Sequence, residues 1–380
     1  MNKWVSFIVV VLMLSGIWIY FANPSTQSTA QTSLIQFLSS DYDPDRFAAA
    51  DPDYALSFPK DHGAHDRFRQ EWWYFTGNLE DSNGRPFGFQ LTFFRSYQPP
   101  GQEIADSSWS SDQTWLAHFA ISDPDSARFY AFEDWSRQSI NLTGSTRSPF
   151  SVWLHDWSVR QIESACARCF TLHLKAESDT VSIDLTMNSA DPPVLQGKNG
   201  FSVKSHDPSI ASHYYSYPNL ETSGSLTIGG QSIRVDGVSW MDREWSSAVL
   251  SKTQSGWDWF AIHLENNYKF MVFRVRDEAH PFHHAILLSP DNSTTVWRSD
   301  EINLQERRHW TSDTSGRTYP VGWTIILQKE DMETTVQIQT ALDDQELKLG
   351  FVYYEGMVFA SLKSSELELN GRGYMELTGY

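Results

Sequence analysis

From residue 70 onward apolar and polar side chains alternate in short runs, the period-two signature of half-buried β-strands. Residues 72–79 and 87–95 form one such pair around the turn Asp81-Ser-Asn-Gly84. Asn-Gly between two alternating runs predicts a hairpin. Further runs follow at 115–122, 129–132, 150–157, 170–176 and 181–187. The pattern then starts again: a hairpin over 225–235 with Gly229-Gly230 at its tip, and strands at 238–245, 257–264, 269–276, 285–288, 294–298, 322–327, 333–339 and 351–355. Helical periodicity is absent beyond the N-terminus, so the chain is read as all-β, a barrel or sandwich architecture. Residues 72–80 and 257–265 echo one another, and each is followed by a turn and an aromatic strand ending in arginine, Arg95 and Arg274. The echo predicts two related β units.

Residues 4–21 carry no charge and follow Lys3. That length and those flanks predict an N-terminal hydrophobic helix over 1–22, acting as a signal anchor or a signal peptide. Residues 23–60, polar and punctuated by Asp-Pro steps, read as a linker. The expected location is therefore outside the cytoplasm, on the periplasmic side of the cytoplasmic membrane. A net charge of −18 argues against nucleic acid as a partner. The 16 tryptophans, 23 phenylalanines and 15 tyrosines imply a heavily packed core or an aromatic-lined cavity. Cys166 and Cys169 are the two cysteines. No second CxxC completes a zinc site, and a turn-closing disulfide suits an oxidising compartment.

The candidate chemistry gathers around Trp240-Met-Asp-Arg-Glu-Trp245. Strand alternation places Trp240, Asp242 and Glu244 on one face and Met241, Arg243 and Trp245 on the other. Two acids on one face of an aromatic strand raise each other's pKa, as does burial, which makes Asp242 a candidate proton donor. The competing reading is an ion pair in which Arg243 neutralises one or both acids. Nearby stretches add His213, Tyr215 and Tyr217, then Trp257 and Trp259, as candidate lining. His213 is a candidate to orient water or return a proton; the alternative is a histidine satisfied within a barrel. His118, His213 and His263 lack the spacing of a metal site, so neither metal nor cofactor is expected. No G-x-S-x-G elbow is present.

Several stretches resemble the family of AttH proteins and carotenoid 1,2-hydratases. They are Glu71-Trp-Trp-Tyr-Phe-Thr-Gly-Asn-Leu79, Phe87-Gly-Phe-Gln-Leu-Thr-Phe-Phe-Arg95, Ala117-His-Phe-Ala-Ile-Ser-Asp123 and Val152-Trp-Leu-His-Asp-Trp157. Ala211-Ser-His-Tyr-Tyr-Ser-Tyr-Pro218, Trp240-Met-Asp-Arg-Glu-Trp-Ser-Ser247 and Gly373-Tyr-Met-Glu-Leu-Thr-Gly-Tyr380 complete the set. The resemblance implies two lipocalin-like antiparallel β-barrel domains, taken here as 61–218 and 219–380, with a ligand cavity at or near their contact. It assigns the proton donor to Asp242, a supporting histidine to His213, and wall positions to Tyr215 and Trp240. At those two wall positions the hydratase pattern has tryptophan and tyrosine respectively. The implied reaction is acid-catalysed hydration or cyclisation of a lipophilic, isoprenoid- or polyketide-like molecule. The alternative is a non-enzymatic carrier of such a compound, working with an export system.

Overall fold

The computed structural model describes residue 43 and residues 45–97, 111–164, 166, 168–248, 250–278 and 280–380. The apolar run at 4–21 and the first part of the expected linker lie outside these residues.

Alternation becomes strand almost wherever it runs. The first sheet begins with β1 (Gln70–Glu80), β2 (Pro86–Tyr97), β3 (Gln113–Asp123) and β4 (Arg128–Arg137). It continues through β5 (Thr143–Arg147), β6 (Phe150–Leu154), β7 (Trp157–Gln161), β8 (Phe170–Glu177) and β9 (Val181–Ser189). The short β10 (Val194–Leu195) and β11 (Phe201–Val203) precede the long hairpin β12 (Ala211–Ile228) and β13 (Gln231–Ser246). Hydrogen bonding orders the main path β4-β3-β2-β1-β13-β12-β9-β8-β7-β6-β5. Its central joint pairs β1 with β13, Tyr74 opposite Asp242, so the first strand meets the last.

The second sheet holds β14 (Gln254–Leu264), β15 (Lys269–Asp277), β16 (Phe282–Leu288), β17 (Thr294–Trp297) and β18 (Ile302–Thr311). It also holds β19 (Thr318–Lys329), β20 (Met332–Thr340), β21 (Glu346–Lys348), β22 (Val352–Lys363) and β23 (Glu368–Leu377). Here the path is β17-β16-β15-β14-β23-β22-β20-β19-β18. The two sheets are barrel-like, one a nearly closed barrel and the other a half-barrel.

Alternation gives each sheet two apolar faces. Trp73, Phe75, Met241 and Trp245 turn into the core enclosed by the first sheet. Phe260, Ile262, Met375 and Leu377 turn into that of the second. The intervening residues, Tyr74, Tyr214 and Trp240 from one sheet and Trp259, Met357 and Tyr374 from the other, form a third cluster where the outer faces meet. Burying both faces explains the near-continuous apolar character of β1 and β14, where a one-sided strand would alternate cleanly.

Two expected boundaries fall elsewhere. The sheets divide between Ser246 and Gln254, not at 218/219. Pro218 and Asn219 mark a register shift between Tyr217 and Leu220, a bulge inside β12 where proline is tolerated. Nor are residues 45–60 a free linker. Phe47 is buried, Tyr54, Leu56 and Phe58 pack on the first core, and the Ala48 carbonyl accepts from the Ser247 hydroxyl. The internal echo has a physical counterpart. In each unit a buried acid on the first strand pairs across to an arginine on the second, Glu71 with Arg95 and Asp258 with Arg274. Cys166 and Cys169 form a disulfide just before β8.

Candidate active site

A cavity opens in the seam between the two sheets. Its volume is about 70 Å³. The first sheet contributes Trp72, Tyr74, Phe94, Tyr214, Asp242 and Glu244. The second contributes Trp257, Trp259, Phe273, Val275 and Glu376, while Lys204 and Leu250 come from connecting segments. An apolar hollow with a few convergent polar groups is the ordinary form of a small-molecule site.

Asp242 is the best-held of these groups. Its Oδ1 accepts from Ser216 Oγ at 2.5 Å and Trp240 Nε1 at 2.7 Å, and its Oδ2 accepts from the Tyr214 hydroxyl at 2.8 Å. The register of the long hairpin makes this possible: Ser216 lies opposite Asp242, and Tyr214 opposite Glu244, all on the seam face. Among the described residues no cation pairs with Asp242. Burial pushes its carboxyl up to about 7, against the three donors that favour the ionised form, and neighbouring Glu244 adds to the rise. Glu244 has separate partners, the Lys204 ammonium at 2.9 Å and the Ser212 hydroxyl.

Arg243 settles the competing reading of the triplet. It points to the other face and pairs with Glu71, and it also donates to the Gly63 carbonyl at 2.7 Å. Asp242 is therefore left without the guanidinium that would keep it ionised.

Of the residues singled out from sequence, the seam gathers Asp242, Glu244, Trp240, Trp257 and Trp259. Three go to the opposite face. Tyr215 donates to or accepts from His62 Nδ1 at 2.7 Å inside the first core, and Tyr217 stacks on Phe170 with centroids 4.6 Å apart. His213 lies among Tyr54, Phe68 and Trp245, its Nε2 accepting from the Asp51 backbone N–H at 3.3 Å. Burial holds His213 neutral, its pKa lowered to about 4. The cause is the same alternation that unites the others: 213, 215 and 217 share a face with Arg243, whereas 212, 214 and 216 share one with Asp242. Sequence reasoning missed Tyr214, Lys204 and the seam-facing pair Trp72 and Tyr74. It also gave no role to Glu376, which lay within the quoted stretch 373–380. Applying period two to 211–218 and to β1 would have found Tyr214, Trp72 and Tyr74.

Two lipocalin-like β sheets joined at a seam are the fold of AttH proteins. The chain belongs to the AttH-like family, whose model matches residues 49–380. It is similar to an AttH protein of Nitrosomonas europaea whose crystal structure superposes with a TM-score of 0.77 at 35% identity, covering 88% of this chain and 99% of that one. Kievitone hydratase from Nectria haematococca shares the fold, with a TM-score of 0.64 at 17% identity over 90% of this chain and 96% of that one. The dehydratase asqC of Emericella nidulans is 22% identical over 226 residues, 54% of this chain. That match spans 61% of the fungal protein's length.

Proposed function

We propose that this protein adds water to, or removes it from, a lipophilic isoprenoid- or polyketide-like molecule, with Asp242 as the proton donor. The observation that carries this reading is a buried carboxyl in an aromatic hollow, held by three donors and paired with no cation, so that it keeps a proton near neutral pH. Hydration of an isolated alkene begins with protonation and passes through a carbocation. An acid with a pKa close to the working pH suits the first step. The faces of Trp72, Trp257 and Trp259 suit the second, since each ring beside a cation contributes about 0.5–2 kcal/mol. The names of a hydratase that shares the fold and of a dehydratase similar in sequence support the reading.

We also propose that the folded body lies outside the cytoplasmic membrane. The charge-free run at 4–21 and the Cys166–Cys169 disulfide support it, because disulfides persist in oxidising compartments. A fusion to a reporter active only in the periplasm tests this; activity of the reporter solely in the cytoplasm would overturn it.

The chemical reading is tested by incubating the full chain with farnesol, geranylgeraniol and lycopene in ¹⁸O-labelled water. Labelled alcohol is the expected product, and Asp242→Asn abolishes it while the protein stays folded. Recovery of a probe bound but unchanged, equally by wild type and Asp242→Asn, would instead identify a carrier, one suited to serving an export system.

A further inference from the structure

The wall of the hollow facing Asp242 carries a second pair of acids. Glu376 on β23 lines the cavity, and its register partner on β22 is Glu355. Side chains directly opposite on antiparallel strands have Cβ atoms about 4.5–5.5 Å apart, so the two carboxyls share one patch of the seam. Glu355 is wholly buried, and among the described residues no cation pairs with it. Its polar neighbour is the Tyr74 hydroxyl, a neutral donor that favours the ionised form but brings no counter-charge. Two carboxyls in one dry site cannot both ionise. Burial drives Glu355 well above the usual carboxylate range. Burial also lifts Glu376 to about 7, with Asp242 and Glu244 adding to the rise, while the Trp257 side chain opposes it. A purely structural pair is a poor account of this arrangement, because apolar residues of similar volume would pack there without the desolvation cost.

Resting on the hydratase reading, we propose that Glu376 is the base that takes the proton of the attacking water, and that Glu355 positions it by holding the proton the pair shares. Asp242 and Glu376 come from different sheets and line the same hollow, so an alkene held there would meet both. Asp242 gives its proton to one alkene carbon, and the π pair becomes that C–H bond. The water oxygen then bonds to the other, cationic carbon, and its proton passes to the Glu376 carboxylate. The product is the alcohol; Asp242 is left ionised and Glu376 neutral, and one proton moved between them through solvent restores the start. Dehydration is the same path reversed.

The experiment separates the two halves of the reaction, using full-length protein and farnesol. Protonation alone is read as deuterium entering farnesol from D₂O, and water addition as ¹⁸O incorporation. Glu376→Gln is expected to lower ¹⁸O incorporation by about 100-fold or more while deuterium exchange continues near the wild-type rate. Asp242→Asn loses both. Glu355→Gln is expected to lower ¹⁸O incorporation less than Glu376→Gln does and to move the acid limb of the pH profile downward, because a neighbouring acid has been removed; a merely structural Glu355 would leave that limb in place. Undiminished ¹⁸O incorporation in Glu376→Gln, or loss of both labels together, would overturn the base role. A wild-type protein that reacts with none of the probes would overturn the hydratase reading, and the base role with it. The shared proton is decided separately: the infrared carbonyl band of protonated carboxyls at neutral pH must lose one acid in Glu355→Gln, and an unchanged band overturns the pair.

Discussion

Glu71 and Asp242 stand on neighbouring strands of the first sheet, both buried, yet their carboxyls are driven in opposite directions. Burial raises both. For Glu71 that rise is overridden by Arg95 and Arg243, which hold the carboxyl well below its usual range. For Asp242 no cation answers, and the carboxyl rests near 7. The difference is one of facing. Glu71 points inward, where two guanidiniums make it part of the scaffold, and Asp242 points to the seam, where only neutral donors meet it. Burial alone therefore does not keep a carboxyl protonated near neutral pH; burial without a counter-charge does.

The comparison breaks most visibly at Glu71. Glu71→Gln strands two buried guanidiniums and is expected to destabilise the protein by about 3–5 kcal/mol in urea unfolding. Asp242→Asn strands no charge and is expected to leave the fold intact. Next in size is the pH dependence. A carboxyl raised from about 3.9 to near 7 stabilises the native state fully below pH 4 and loses that stabilisation as pH climbs through 7, up to about 4 kcal/mol for Asp242. His62 and His213, buried, and His263, His283 and His284, half-buried, are lowered to about 4 and act in the opposite sense over that window. The quantity to measure is thus the difference between wild type and Asp242→Asn, which should shrink as pH rises from 4 to 7.

A smaller effect is expected at Tyr214. Tyr214→Phe removes one donor to the ionised form, worth about 1 kcal/mol, and should move the alkaline limb of the activity profile upward by less than one pH unit. The smallest effect on turnover is expected at His213. His213→Ala should cost stability through lost packing with Tyr54 and Trp245 while leaving any turnover by the folded protein near wild type. A loss as deep as that of Asp242→Asn would show that the two faces of the sheet are chemically coupled.

The strands, the all-β class and the split of 240–245 into two faces were legible in the sequence, because alternation is a local signal. The aromatic doublets around Trp72 and Trp257 also announced the two units. Closure was not legible. That β1 pairs with β13 is a long-range fact, and without it Pro218 looked like a domain edge when it marks a bulge. The site was half legible for the same reason. Asp242, Trp240, Trp257 and Trp259 do gather at the seam, but nearness in sequence drew His213, Tyr215 and Tyr217 toward an acid that the sheet itself separates from them. Glu355 and Glu376 become a pair only once the register of β22 and β23 is known.

The hollow belongs to neither barrel's interior, and this shapes how the molecule can vary. The residues that line it and those that fill each half's own core are different sets, so the hollow can be recut from the outer faces without disturbing either core. Exchanging one half for that of a relative would replace one wall of the chamber and leave the other untouched.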